Sequence, residues 1–151
     1  MFAPEANRIM VTGALGQIGT DLVDELRQRY GNENVLATDI RQVSGHSGVT
    51  NGPFELLSVL DIDSMDKIVK DYDIRKIFHL GAMLSAVGEK KPDLCRKINI
   101  GGVISVLETA KSNDLKVYAP SSIAVFGPDS PKHAPQNTPL NPTTVYGETK
   151  V

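Results

Sequence analysis

Short apolar runs alternate with longer amphipathic stretches along most of the chain. Arg8-Ile9-Met10-Val11-Thr12, Asn34-Val35-Leu36-Ala37-Thr38, Glu55-Leu56-Leu57-Ser58-Val59-Leu60, Lys76-Ile77-Phe78-His79-Leu80 and Lys116-Val117-Tyr118-Ala119-Pro120 read as five strands. Between them, residues 17–30 carry Ile18, Leu22, Val23 and Leu26 on one helical face. A second helix, capped by Asp63 or Ser64, turns Met65, Ile68, Val69 and Tyr72 inward, and a long one over about 93–113 buries Val103, Val106, Leu107 and Ala110. Strands alternating with helices are how parallel crossovers read. The expected fold is therefore α/β, a doubly wound parallel sheet of order 3-2-1-4-5, with a ligand crevice beside the first and fourth strands where the order reverses. Residues 41–53, rich in Ser, Gly, Asn and Pro without periodicity, read as a mobile surface loop. No internal repeat or linker interrupts the pattern, so residues 1–151 read as one domain.

The first strand runs directly into Gly13-Ala14-Leu15-Gly16-Gln17-Ile18-Gly19, three glycines at G-x-x-G-x-x-G spacing. Gly13 permits a tight turn, Gly16 lets backbone approach a pyrophosphate, and Gly19 allows close helix–sheet packing, with helix N–H groups facing the anion. A ligand-free glycine turn is the plain alternative, but the flanking strand and helix, and the acid Asp39 about 20 residues on, match a dinucleotide fingerprint. A carboxylate there accepts ribose hydroxyls and repels a 2′-phosphate, which favours NAD over NADP. Arg41 is the dissenting residue, since an arginine can accommodate that phosphate.

Composition narrows the partners. The 151 residues are 40% hydrophobic and 23% charged with a formal net charge of −2, which gives no electrostatic attraction to nucleic acid or anionic membrane. No apolar run approaches the roughly 20 residues of a membrane span. Residues 1–6 carry no basic amphipathic stretch or apolar core, so no targeting segment is expected. The single cysteine, Cys95, excludes an internal disulfide and reads as a structural thiol in a reducing compartment.

A second constellation follows the fifth strand. Ser121-Ser122 ends it, a proline-rich loop follows, and Tyr146 and Lys150 stand four residues apart after Pro142, which suits a first helical turn. Residues four apart share a helical face, so a phenol and an ammonium would project together. A neighbouring ammonium and an oxidised nicotinamide ring both favour a phenolate, poising it for proton transfer. Tyr72 and Lys76 show the same spacing but read as a decoy, because Lys76 opens a strand and the pair would lie at that strand's N-terminal end.

These features together resemble the extended short-chain dehydrogenases/reductases, of the NAD-dependent epimerase/dehydratase superfamily, with a Rossmann fold. Thr38-Asp39-Ile40-Arg41, Asn51-Gly52-Pro53-Phe54-Glu55, His79 to Ala86 with Glu89, Pro120 to Pro128 and Pro142 to Gly147 are most similar to segments of the L-threonine 3-dehydrogenases. The resemblance implies that Gly13, Gly16, Gln17 and Ile18, with Gly19, hold the pyrophosphate. Asp39 with Arg41 would serve the adenosine ribose, Asp61 and Ile62 the adenine, Leu80, Gly81 and Ala82 the cofactor flank, and Lys150 the nicotinamide ribose. Ser85, Ser122 and Tyr146 would meet substrate, with Ser122, Tyr146 and Lys150 catalytic. Gly81 stands where alanine is usual in that family, and Ser122 where many members have threonine.

The implied activity is NAD-dependent oxidation of L-threonine to 2-amino-3-oxobutanoate by a homodimer, in the cytoplasm or, in a eukaryote, the mitochondrial matrix. The family has a second half with further strands and a small substrate domain, whereas this sequence stops at Val151. Residues 1–151 are therefore expected to be the NAD-binding part, inactive alone. The alternatives are a nucleotide-sugar epimerase or dehydratase with tightly held NAD, and a non-catalytic NAD-binding module; the intact Ser122, Tyr146 and Lys150 set argues against the module. His79 reads as a strand residue, Asp61 equally as a helix cap or an adenine contact, and Glu89-Lys90-Lys91 as a solvated loop. His46 and His133 have no companion ligands at metal spacing, so no metal site is expected.

Overall fold

The computed structural model describes residues 8–151; residues 1–6, read above as free of a targeting pattern, lie outside the described residues. Five parallel strands, β1 (Arg8–Thr12), β2 (Val35–Asp39), β3 (Phe54–Leu56), β4 (Ile74–His79) and β5 (Lys116–Tyr118), form one sheet in the order β3-β2-β1-β4-β5. The helices are α1 (Gln17–Tyr30), α2 (Ser47–Thr50), α3 (Ile62–Asp71), α4 (Ser85–Gly88), α5 (Pro92–Asn113) and α6 (Val145–Glu148). The expected doubly wound α/β order is the observed one.

The described chain divides into two compact units. One comprises the described residues up to Gly81 with Gly102–Ala119, and the other Ala82–Gly101 with Pro120–Val151.

In the first unit, β1 shows why a continuous apolar run belongs in a parallel sheet. Successive side chains point to opposite faces, so Ile9 and Val11 join Val23 and Leu26 of α1, while Met10 joins Met65 and Val69 of α3 and Val106 of α5. All three β1 residues are at most 2% exposed. Burial of a side chain of this size contributes about 1.5–3 kcal/mol.

Several boundaries and faces differ from expectation. β3 stops at Leu56, because Ser58 opens a turn whose carbonyl accepts from the Asp61 amide at 3.0 Å. β4 begins at Ile74, two residues before Lys76. The cap of α3 is Asp61, whose Oδ1 accepts from the Ser64 amide at 3.0 Å, and neither Asp63 nor Ser64 fills that place. Ile18 and Leu107 face solvent, 67% and 51% exposed, because the buried stripe of each helix is narrower than its apolar pattern.

Residues 41–53 are not a free excursion. Arg27 of α1, 3% exposed, donates to the carbonyls of Val35, Ser47, Gly48 and Pro53 at 2.8–3.3 Å. His46 Nδ1 accepts from the Gly48 amide at 3.0 Å while Nε2 meets Thr20 Oγ1 at 3.2 Å. A guanidinium has five donors and no acceptor, and here it satisfies carbonyls that a buried loop would otherwise leave unpaired. Burial in turn pushes the Arg27 guanidinium below its ordinary value.

Candidate functional site

The phosphate cradle lies in the first unit. Gly13 adopts φ 67°, and a Cβ on it would stand 2.7 Å from the Gly81 amide nitrogen, so a side chain is excluded both by conformation and by the end of β4. A Cβ on Gly19 would overlap the Gly13 carbonyl oxygen and stand 2.8 Å from Ala14 Cα, so the close approach at Gly19 is to the turn after β1, where the spacing predicted helix–sheet packing. Gly16 is the N-cap of α1, and no side chain caps the helix there. The N-terminus of a helix with uncapped N–H groups beside open backbone fits an anionic pyrophosphate.

Asp39 closes β2, 6% exposed. Its Oδ2 accepts from the Leu15 amide at 3.1 Å and its Oδ1 from the Arg41 amide at 3.1 Å. Two carboxylate oxygens offer about four acceptor positions, so capacity for ribose hydroxyls remains. Arg41, 62% exposed along its side chain, turns its Nε toward Asp39 Oδ1 at 3.5 Å. Its charge is thus directed at a carboxylate.

Asp61 and Ile62 stand exposed at the start of α3. The Ser64 amide and hydroxyl hold the Asp61 carboxyl below the usual carboxylate range, and the cap half of its dual reading is the observed contact. Leu80 and Gly81 follow β4, where the Leu80 amide donates to the Thr12 carbonyl at 3.1 Å. His79 is a buried strand residue hydrogen-bonded to Thr12 Oγ1 at 2.8 Å.

The second unit holds Ala82 and the polar set. Ser122 caps a 3₁₀ turn, Ile123–Val125, its Oγ accepting from the Ala124 amide at 3.2 Å. Tyr146 is the second residue of α6, whose N-cap Thr144 accepts from the Gly147 amide at 3.0 Å. Lys150 lies beyond the C-cap Thr149, so the expected helix holding both residues is shorter than predicted. Its Nζ nevertheless stands 5.7 Å from the centre of the Tyr146 ring and 3.4 Å from the Pro120 carbonyl. Burial lowers the Lys150 ammonium from its ordinary value. The Lys150 carbonyl also accepts from Ser121 Oγ at 3.2 Å, tying the lysine to the residue beside Ser122. Ser85 opens α4 and is exposed.

Three residues of this unit escaped sequence reading. Asn99, 2% exposed on α5, accepts from the Met83 amide at 2.7 Å and donates to the Met83 carbonyl at 3.1 Å and to Thr149 Oγ1 at 3.0 Å. Thr149 passes its own hydroxyl to the Tyr146 carbonyl at 2.7 Å. A signal existed for Asn99, because a polar residue four positions after Cys95 falls on that cysteine's buried face and needs partners. Gly147 packs where a Cβ would overlap the Ala124 carbonyl oxygen. Glu89, expected in a solvated loop, is exposed yet accepts from the Val145 amide at 2.9 Å. Cys95 is fully buried, and burial pushes its thiol up, away from the reactive thiolate.

The sequence profile of the NAD dependent epimerase/dehydratase family matches residues 9–151. The chain belongs to that family. Among its relatives, an uncharacterised epimerase/dehydratase of Staphylococcus aureus strain USA300 is 50% identical over 145 residues, covering 95% of this chain and 45% of the relative. The solved L-threonine dehydrogenase from Clostridium difficile superposes with a TM-score of 0.92 at 46% identity, over 95% of this chain and 45% of its own. A UDP-glucose 4-epimerase from Thermotoga maritima superposes at 0.80 with 26% identity, over 94% and 47% of the two chains. The chain thus spans about half the length of the family members it matches, corresponding to their N-terminal half. No helix among the described residues is long and apolar enough to cross a membrane.

Proposed function

We propose that the complete protein oxidises the β-hydroxyl of L-threonine to 2-amino-3-oxobutanoate with NAD. The observation that carries this reading is the approach of the Lys150 ammonium to the Tyr146 ring at 5.7 Å, on a turn packed against the segment that bears Ser122. Greater identity to a threonine dehydrogenase than to a UDP-glucose epimerase, 46% against 26%, supports the choice of substrate.

NAD, when bound, supplies the acceptor for the hydride lost from the substrate carbon. Gly13, Gly16, Gln17, Ile18 and Gly19 would hold its pyrophosphate, Asp39 its adenosine ribose, Asp61 and Ile62 its adenine. Leu80, Gly81 and Ala82 would flank it, and Lys150 would bind the second ribose. The Tyr146 oxygen takes the proton of the substrate hydroxyl, and Ser122 Oγ hydrogen-bonds that same oxygen. Lys150, held by the Pro120 carbonyl, keeps a positive charge beside the phenol. The half-buried setting strengthens that field relative to bulk water. Ser85 would contact the substrate away from the reacting carbon.

The alternative within the family is nucleotide-sugar chemistry. Purified full-length protein, tested for threonine-dependent NADH formation and for nucleotide released on denaturation, separates the two. Threonine-dependent NADH with freely exchanging cofactor is expected; tightly retained NAD with turnover only on a UDP-sugar would overturn the proposal.

A further inference from the structure

The carboxylate of Glu89 reaches from the end of α4 to the start of α6. Oε1 accepts from the Val145 amide at 2.9 Å and lies 3.5 Å from the Tyr146 amide. Thr144 accounts for the next two amides, its hydroxyl accepting from Gly147 at 3.0 Å and its carbonyl from Glu148 at 2.9 Å. Two of the N–H groups that this helix start leaves open are therefore met from a segment more than 50 residues earlier in the chain.

The backbone that carries Glu89 is itself held. Its amide donates to the Ser85 carbonyl at 3.0 Å, closing the turn of α4. A Cβ on Gly88 would stand 2.7 Å from Cys95 Sγ, so α4 lies directly on α5. An unbroken path results, from the Ser85 carbonyl to the Glu89 amide and from the Glu89 carboxylate to the amides of Val145 and Tyr146. A helix of one turn does not hold itself in water, so the placement of Tyr146 depends on such ties. The Asn99–Thr149 contact fastens its far end.

We propose that Glu89 is a positioning residue that couples the segment bearing Ser85 to the helix bearing Tyr146, so that substrate contact and proton transfer are set together. This rests on the roles proposed above for Ser85 and Tyr146. Glu89 touches no reacting atom and acts through the backbone of α6.

The test compares Glu89→Gln, which keeps an acceptor oxygen, with Glu89→Ala in the full-length protein, reading amide hydrogen exchange at Val145 and Tyr146 beside steady-state kinetics. The alanine variant should exchange roughly tenfold faster at those two amides, as expected for loss of a hydrogen bond to a charged group. It should also lose roughly tenfold or more in kcat and raise the threonine KM, with NAD affinity unchanged; glutamine should restore most of each. If exchange or kcat stays within twofold of the parent, or glutamine fails to rescue, the coupling is overturned. Should the parent protein not oxidise threonine, the proposed function fails, and the exchange measurement alone decides whether Glu89 holds the helix.

Discussion

Gly147 meets the carbonyl oxygen of Ala124 with no space for a Cβ, and this contact seats Tyr146 against the turn that begins at Ser122. Backbone is the obstacle, so a larger residue cannot be absorbed by a rotamer change. Gly147→Ala should push α6 away by a substantial fraction of an ångström. Misplacement of about 1 Å costs on the order of a hundredfold in rate. Threonine turnover by the full-length variant should therefore fall by roughly that factor while NAD binding holds, as read by steady-state kinetics beside calorimetric NAD titration. Unchanged turnover would mean that the packing of α6 does not set the tyrosine.

Asp39 combines two roles whose separation is measurable. Its Oδ2 holds the Leu15 amide of the cradle, and the proposal gives its remaining lone pairs to ribose hydroxyls. Asp39→Ala should weaken NAD binding roughly tenfold or more, since hydrogen bonds to charged groups contribute about 1.5–3 kcal/mol. It should also relax discrimination against NADP. Asp39→Asn, which keeps an acceptor for Leu15 but lacks the charge, should bind NAD better than the alanine variant while still admitting NADP. A variant with the parent's NAD/NADP preference would remove Asp39 from the ribose.

Tyr72 supplies the contrast to Tyr146. Its hydroxyl donates to Glu55 Oε1 at 2.7 Å, and that hydrogen bond, with burial and the Glu55 charge, raises the phenol above its ordinary value. A raised value means the fold favours the protonated phenol, so the contribution to stability is full below the ordinary phenol range. It disappears as pH rises through the raised value. Tyr72→Phe should lower stability by about 1 kcal/mol at neutral pH. It should also flatten the alkaline loss seen in the parent, measured by urea unfolding against pH, and leave threonine turnover within twofold. A well-folded but inactive Tyr72→Phe protein would reinstate the pair with Lys76.

The sheet was readable because its signals are local. Ile9, Met10 and Val11 form a run that only a strand buried on both faces uses fully, and Gly13, Gly19 and Asp39 follow from turn geometry and an acid at a strand end. What escaped depends on partners distant in sequence. Arg27 looks like a surface residue of α1, yet it ties the loop over residues 41–53 through three of the loop's carbonyls, those of Ser47, Gly48 and Pro53. Glu89 and Asn99 act on residues about 50 positions away, and although helical spacing marks Asn99 as buried, it does not name those partners.

Asp73 and Asp114 take φ of 49° and 53° just before β4 and β5, where glycine is the usual helix stop. Local spacing misled at one place. The four-residue spacing of Tyr146 and Lys150 reads as one helix, but α6 ends at Glu148 and the pair meets through the turn after it. The secondary structure around the pair therefore differs from the single helix expected.

The most direct measurement is threonine-dependent NADH formation by the full-length protein and its Tyr146→Phe variant, with NAD affinity determined in parallel. The parent should form NADH with threonine. The variant should lose roughly a hundredfold to ten-thousandfold, the range that a positioned acid–base group contributes, while binding NAD within a few-fold of the parent. Near-normal threonine oxidation by the Tyr146→Phe protein would contradict the proton-transfer role on which the proposed function stands.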